Sequence, residues 1–222
     1  MSVAQEPARR DPYGVGRAPR VPFRQLSAEH AEGGVASKRI VVAYGFWIFL
    51  LSDIVMFSSF FATYAVLTNE TAGGPSARDL FHLDVVALET AFLLLSSFTC
   101  GLANIGALAR RSLMYYGNMA ATGLLGGGFL FLEMREFAGM IAIGAGPQRS
   151  AFLSAFFSLV GCHGLHVTLG LLWLLTMMAQ VYAKGYRADI QRRVLCFALF
   201  WHTLDIIWVG IFTVVYLTGL AK

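Results

Sequence analysis

The chain of 222 residues is 57% hydrophobic and 14% charged, with 18 phenylalanines and 23 glycines. A water-soluble domain of this length carries about a quarter charged residues and could not cover so much apolar surface, and a disordered chain has the opposite composition. The formal net charge of +4 comes from basic residues beside apolar runs, so it indicates membrane topology rather than nucleic-acid binding.

Residues 1–40 are polar and rich in proline and arginine, which predicts a cytoplasmic tail that is in part flexible. Five apolar segments follow within 41–220, and each is long enough for a helix to cross the bilayer core. A helix satisfies its backbone groups internally, as lipid demands. The sequence therefore predicts an all-α protein, an integral membrane bundle of five transmembrane helices. The predicted helices are 41–67, 85–108, 115–142, 151–183 and 192–220.

Basic residues are divided unequally between the connections. Thirteen of the 17 Lys and Arg lie in the tail and at 109–114 and 184–193, whereas three lie in the other connections and at the C-terminus. Cytoplasmic connections of membrane proteins are enriched in Lys and Arg. The distribution predicts a cytoplasmic N-terminus and a C-terminus outside.

Ionisable side chains within the predicted helices are few, and their cost at bilayer depth makes each a candidate for function. Asp53 lies in the middle of helix one and Glu89 near the outer end of helix two, and both are candidates for a lipid or proton role. Residues three apart share a helix face, and helices three to five each carry such a pair. These pairs are Glu133 with Glu136, His163 with His166, and His202 with Asp205.

Three roles suit these pairs: interhelix hydrogen bonds and ion pairs, a di-metal carboxylate site, or a haem held by His202 and a histidine of helix four. Di-iron bundles use Glu-x-x-His pairs, which these helices lack. No second matched histidine pair supports a haem. The sequence favours the interhelix role and predicts no catalytic, cofactor-binding or metal-binding residue in this chain.

Four motifs in chain order resemble subunit III of the haem–copper terminal oxidases, a likeness that covers roughly residues 43–219. The third motif reads His-Gly-Leu-His-Val and the fourth reads Trp-His-x-x-Asp-x-x-Trp. The four motifs lie within Ser52–Tyr64, Glu133–Phe137, Gly161–Val167 and Trp201–Trp208. The loop Asn69–Pro75 and the stretch Glu89–Ser97 resemble the bo-type ubiquinol oxidase branch of bacteria.

The resemblance implies a non-catalytic subunit of a proton-pumping ubiquinol:oxygen oxidoreductase in the aerobic respiratory chain, located in the bacterial inner (cytoplasmic) membrane. Subunit III of this family holds no haem or copper, contains lipid and supports proton uptake and turnover durability. The implied partners are oxidase subunits I, II and IV and phospholipid, with haem and copper in subunit I. Asp53 falls at the family's lipid-facing carboxylate position.

Three alternatives stay open at this point. One is subunit III of a cytochrome c oxidase, although members of that branch usually carry seven helices where five are predicted here. A free-standing di-metal or haem enzyme would use the histidine and carboxylate pairs. A small transporter would couple protons through Asp53, but such proteins usually contain internal repeats, which this sequence does not display.

Overall fold

The computed structural model describes residues 38–81 and 83–221, so the tail expected at 1–40 lies almost entirely outside the described residues. The described chain is built from helices without a strand, which confirms the all-α expectation. The five long helices are α1 Lys38–Leu67, α2 Leu83–Leu108, α3 Ser112–Ala142, α4 Ala151–Lys184 and α5 Ala188–Ile211. The shorter segments are Ala77–Leu80, the π-helix Phe212–Leu217 that continues α5, and the final turn Thr218–Ala221.

Length and composition identify four candidate membrane spans among the described residues, one fewer than the five predicted. These are residues 40–67, 83–108, 151–184 and 188–217. The remaining long helix, α3, has 31 residues and is about 46 Å long at 1.5 Å per residue, which suffices for a crossing. Its glycines, Asn118 and three charged residues near its C-terminal end leave it without a stretch as apolar as those of the four candidate spans.

Local sequence explains where the helices begin and end. The Ser150 hydroxyl caps α4 by accepting a hydrogen bond from Leu153 N at 3.2 Å. α4 ends before Gly185, whose φ of 68° is accessible to glycine without strain. Three residues separate α2 from α3, with Arg110 in the left-handed region at a φ of 53°. The two helices therefore form an antiparallel hairpin.

The core lies among α2, α3, α4 and α5. α2 and α3 approach each other most extensively, α5 packs against α2 and α4, and α4 also packs against α3. The backbone of α1 stays farther away and reaches the others through side chains such as Phe57, whose ring centroid is 5.3 Å from that of His166. Trp201, Trp208 and Tyr115 are among the largest fully buried side chains.

Candidate functional site: buried polar groups of the bundle

A line of side-chain hydrogen bonds, which we call the polar seam, joins α2 to α5. Both tryptophans of the fourth motif donate from their indole nitrogens to hydroxyls of α2, and a histidine of the same motif shares a hydrogen bond with a third hydroxyl. The bonds are Trp201 Nε1 to Ser96 Oγ at 3.0 Å, Trp208 Nε1 to Thr90 Oγ1 at 3.1 Å, and His202 Nδ1 with Ser97 Oγ at 2.6 Å. The seam fixes the register of two antiparallel helices.

Asp205 lies within the length of the seam, one turn after His202 on α5. It is half-buried and lies near Ser97 and His202, and its Oδ1 has no hydrogen-bond partner among the described residues. The structure thus brings His202 and Asp205 together on one face of α5, as their spacing of three residues requires. Their interhelix role stays a prediction.

Three carboxyl side chains form a second buried group, which we call the acidic cluster: Glu89 from α2, and Glu133 and Glu136 from α3. Glu89 is 0% exposed and Glu133 is 1% exposed, while Glu136 is half-buried. The charges of the three carboxyls lie within electrostatic range of one another. None of their six oxygen atoms has a hydrogen-bond partner within the described part of the chain. Sequence spacing paired Glu133 with Glu136, and the structure adds Glu89.

Groups from α4 and from the π-helix complete the surroundings of the acidic cluster. The carboxyl of Glu133 lies against Gly164, where an added Cβ would be 2.8 Å from both carboxyl oxygens. Tyr216, which is 1% exposed, lies within electrostatic range of all three glutamates, and its hydroxyl has no hydrogen-bond partner among the described residues. The cluster is thus lined from four helical segments.

The two histidines of α4 occupy different surroundings, although both contact Phe57. His163 is fully buried among Phe57, Phe129 and Trp208, and neither ring nitrogen has a hydrogen-bond partner in the described chain. His166 is half-buried, and its Nδ1 is 2.7 Å from the Cys162 carbonyl oxygen of its own helix. Among the residues that the structure describes, no hydrogen bond ties either histidine to another helix.

Asp53 lies apart from both polar groups. It is half-buried on α1, on the side facing α4, within electrostatic range of Cys162. Phe57, one turn further along α1, contacts the rings of both α4 histidines. Asp53 therefore lies at the margin of the bundle, and its lipid or proton role stays a prediction.

The described side chains do not assemble a metal centre. Within residues 38–81 and 83–221, no group of three or more His, Cys, Asp or Glu side chains is arranged to hold a metal ion. His163 and His202 belong to different surroundings, since His163 is enclosed by aromatic rings and His202 is hydrogen-bonded to Ser97. The di-metal and haem hypotheses therefore receive no support from the geometry.

The sequence candidates did not include the hydroxyls of the polar seam or Tyr216. Spacing alone does not reveal these hydroxyls. Trp201 and Trp208 are seven residues apart and share a helix face, but their partners Ser96 and Thr90 are six residues apart. No signal in the sequence points to Tyr216.

The fold and its interior define the class of the protein as a polytopic helical membrane protein with ionisable side chains buried between helices. Comparison with known families is more specific. The sequence model of the family described as Cytochrome c oxidase subunit III matches residues 21–220. The chain belongs to this family, the subunit III family of the haem–copper oxidases.

Three known relatives cover most of this chain. It is 53% identical over 176 residues to Cytochrome bo(3) ubiquinol oxidase subunit 3 of Pseudomonas aeruginosa, which is 79% of this chain and 84% of the relative. It is 44% identical over 177 residues to Quinol oxidase subunit 3 of Bacillus subtilis, with 79% and 86% covered. It is 44% identical over 180 residues to Cytochrome c oxidase subunit 3 of Bacillus sp. (strain PS3), with 79% and 85% covered.

These relatives are subunits of bacterial terminal oxidases, and four helices of this chain are long and apolar enough to cross a membrane. The protein is accordingly a multi-pass protein of the bacterial inner (cytoplasmic) membrane.

Proposed function

We propose that the chain is the non-catalytic subunit III of a proton-pumping ubiquinol:oxygen oxidoreductase in the aerobic respiratory chain. The observation that carries this proposal is the 53% identity, over 79% of the chain, to subunit 3 of a cytochrome bo(3) ubiquinol oxidase. In this proposal haem and copper reside in subunit I, and quinol oxidation and oxygen reduction take place outside this chain. Its partners are oxidase subunits I, II and IV and membrane phospholipid.

The chain's own part is to support assembly, lipid binding and the durability of proton uptake in the catalytic subunit. The polar seam supports this role because it fixes α5 against α2 and so keeps a rigid surface for a neighbouring subunit. In the proposal the paired residues Glu133, Glu136, His163, His166, His202 and Asp205 stabilise the bundle. All five long helices cross the membrane, with the N-terminus in the cytoplasm and the C-terminus outside.

Asp53 and Glu89 carry the lipid or proton roles in this proposal. Asp53 supports such a role by its half-buried place on α1, the helix whose backbone lies farthest from the core. Glu89 supports it by its complete burial without a hydrogen-bond partner among the described residues. Buried ionisable groups in membrane helices commonly mark ion or proton pathways.

Purification of the full-length chain in mild detergent tests the proposal, with the Asp53→Ala variant beside the unchanged protein. We expect three further oxidase subunits, haem and copper to accompany both proteins. We expect Asp53→Ala to retain less phospholipid and to complete fewer turnovers before inactivation, with an unchanged haem spectrum. Asp84→Ala is the matched control, because Asp84 is exposed in the first turn of α2 and should change neither quantity.

Three outcomes would contradict the proposal: a chain that purifies alone, one that carries its own iron or copper and oxidises a substrate, or loss of haem from an assembled Asp53→Ala complex.

A second candidate function, subunit III of a cytochrome c oxidase, is favoured by the 44% identity to the Bacillus sp. protein of that name. Oxygen uptake by the purified complex with ubiquinol and with reduced cytochrome c distinguishes the two functions.

A further inference from the structure

The acidic cluster presents six buried oxygen atoms without a hydrogen-bond partner within the described chain. Buried polar groups in folded proteins are hydrogen-bonded in nine cases out of ten or more, to protein or to ordered water. Glu89, Glu133 and Glu136 take part in no ion pair within residues 38–81 and 83–221. The described protein groups alone therefore leave all three carboxyls unsatisfied, although these carboxyls lie inside an apolar bundle.

A second observation points to a ligand at the same place. The Tyr216 hydroxyl also lacks a hydrogen-bond partner among the described residues, although its side chain is 1% exposed, and it lies near all three carboxyls. Unpartnered polar groups from α2, α3 and the π-helix thus lie within electrostatic range of one another. A buried water molecule needs two to four polar partners, and this lining supplies them. The geometry does not favour a metal ion, since the described side chains form no metal-holding group.

We propose that the acidic cluster is a hydrated proton-holding site, in which ordered water molecules link the three carboxyls to Tyr216 and at least one carboxyl carries a proton. Three negative charges this close together repel one another, and burial removes the water that would stabilise them. A proton on the cluster relieves both costs and supplies a hydrogen-bond donor to the shared water. The proton-holding site extends the lipid or proton role proposed for Glu89. It does not depend on the proposal that the chain is a subunit of an oxidase.

A cleft in the surface of the bundle reaches one member of the cluster, Glu136. It has a volume of about 360 Å³ and is lined by Val85 and Leu88 of α2 and by Leu132, Arg135 and Glu136 of α3. Glu136 is the member of the cluster that lines this cleft, and Arg135 places a positive charge beside it. The cleft is the route by which the bound protons exchange with bulk water.

The first test is infrared spectroscopy of the purified full-length protein together with whatever subunits accompany it. We expect C=O stretching bands of protonated carboxyl groups that shift when water is replaced by D₂O. Glu133→Gln should either remove a band, where Glu133 carries the proton, or shift the band of a protonated neighbour, because the three carboxyls share the same water. Tyr216→Phe should shift these bands without removing any.

Asp84→Asn is the matched control, since Asp84 is exposed at the start of α2 and should leave the bands unchanged. Circular dichroism checks that each variant keeps its helical content. The proposal is overturned if no protonated carboxyl band assignable to the cluster exists, or if Glu133→Gln leaves every such band in place.

The second test closes the cleft without touching the carboxyls. Leu132→Trp should slow the hydrogen–deuterium exchange of the carboxyl bands, because the larger side chain occupies the cleft. Leu124→Trp is the control of equal size: Leu124 lies two turns earlier on α3, on an exposed surface beside Gly123. Equal exchange rates in the two variants would exclude this cleft as the route and contradict that part of the proposal.

Discussion

At the scale of single residues, Trp201 explains why two glycines occupy facing helices. Its indole ring is buried between Gly126 of α3 and Gly170 of α4. A Cβ at Gly126 would be 2.8 Å from Trp201 Cζ2, and one at Gly170 would be 2.9 Å from Cζ3. The ring also donates to Ser96 Oγ, so its position is fixed by a hydrogen bond as well as by packing. Small residues at helix interfaces allow this close approach.

Gly170→Ala is therefore expected to destabilise the protein. The added methyl group meets an indole ring that is held in place, and overpacking of this kind costs about 1–3 kcal/mol. The thermal unfolding midpoint of the purified protein in mild detergent measures the effect. Gly127→Ala is the control, because an added Cβ there meets nothing within 4 Å and alanine favours a helix over glycine. Equal midpoints for the two variants would show that Trp201 is free to move aside.

The sequence identifies the tryptophan and histidine motif of α5 and the glycines of α3 and α4, but it does not reveal that Trp201 lies between Gly126 and Gly170. That contact depends on how three helices are rotated about their axes, which spacing within one helix does not determine. The same limit applies to His163. Its spacing from His166 predicts a shared face, yet its aromatic surroundings come from α1, α3 and α5.

At the scale of elements, the α2–α3 hairpin depends on close backbone contact at its tight end. A Cβ at Gly106 would be 2.9 Å from Tyr115 N. Tyr115 N donates its hydrogen bond to Arg111 O, and Arg111 N donates to Gly106 O, so the connection is held by backbone hydrogen bonds on both sides. The backbone atoms that meet position 106 therefore have little freedom to shift.

Gly106→Ala is expected to be more damaging than Gly170→Ala, because the added methyl group meets main-chain atoms rather than the edge of a side chain. We expect a lower yield of monodisperse protein in size-exclusion chromatography and a lower unfolding midpoint. Gly101→Ala, on the same helix but with nothing within 4 Å of the added Cβ, should behave like the unchanged protein. The interpretation of the hairpin is wrong if Gly106→Ala matches Gly101→Ala in both measurements.

The number and type of the long helices were predictable, because apolar runs separated by short polar connections are a strong signal. The π-helix Phe212–Leu217 was not. In a regular α-helix Tyr216 would lie about 80° around the axis from Trp208, at 100° per residue. The wider turns of the π-helix alter this rotation, and the two ring centroids are 6.2 Å apart. Counting at 3.6 residues per turn therefore cannot place Tyr216 beside the acidic cluster.

At the scale of the whole molecule, large apolar side chains cover the outside of the described helices. On α1, Tyr44 and Val55 are each 67% exposed and Val66 is 76% exposed. Such a surface would be unfavourable in water, but it suits lipid or another membrane subunit. The inside is mostly apolar as well, but it also holds the polar seam and the acidic cluster, which both lie between helices.

The connections between helices bear on the proposed topology. Phe152 N, at the start of α4, donates a hydrogen bond to Glu70 O in the α1–α2 connection at 3.2 Å. The α1–α2 and α3–α4 connections therefore meet at one end of the bundle. If four helices cross and α3 does not, these two connections would lie on opposite sides of the membrane. The contact supports a crossing by α3 despite its lower apolar character.

Labelling of single introduced cysteines tests this topology in intact cells. We expect a membrane-impermeant maleimide to label Asn69→Cys and Gln148→Cys directly, but to label Ala109→Cys and Ser112→Cys only after permeabilisation. All four positions are exposed, whereas the native cysteines are buried or half-buried, so the unchanged protein serves as the background control. The reversed pattern would mean that the N-terminus is outside. Labelling of Asn69→Cys without labelling of Gln148→Cys would mean that α3 does not cross. The charge distribution predicts neither of these two labelling patterns. The basic residues of the α2–α3 and α4–α5 connections lie at the end of the bundle opposite to Asn69 and Gln148, and basic connections are typical of the cytoplasmic side. These basic residues are Arg110, Arg111, Lys184 and Arg187.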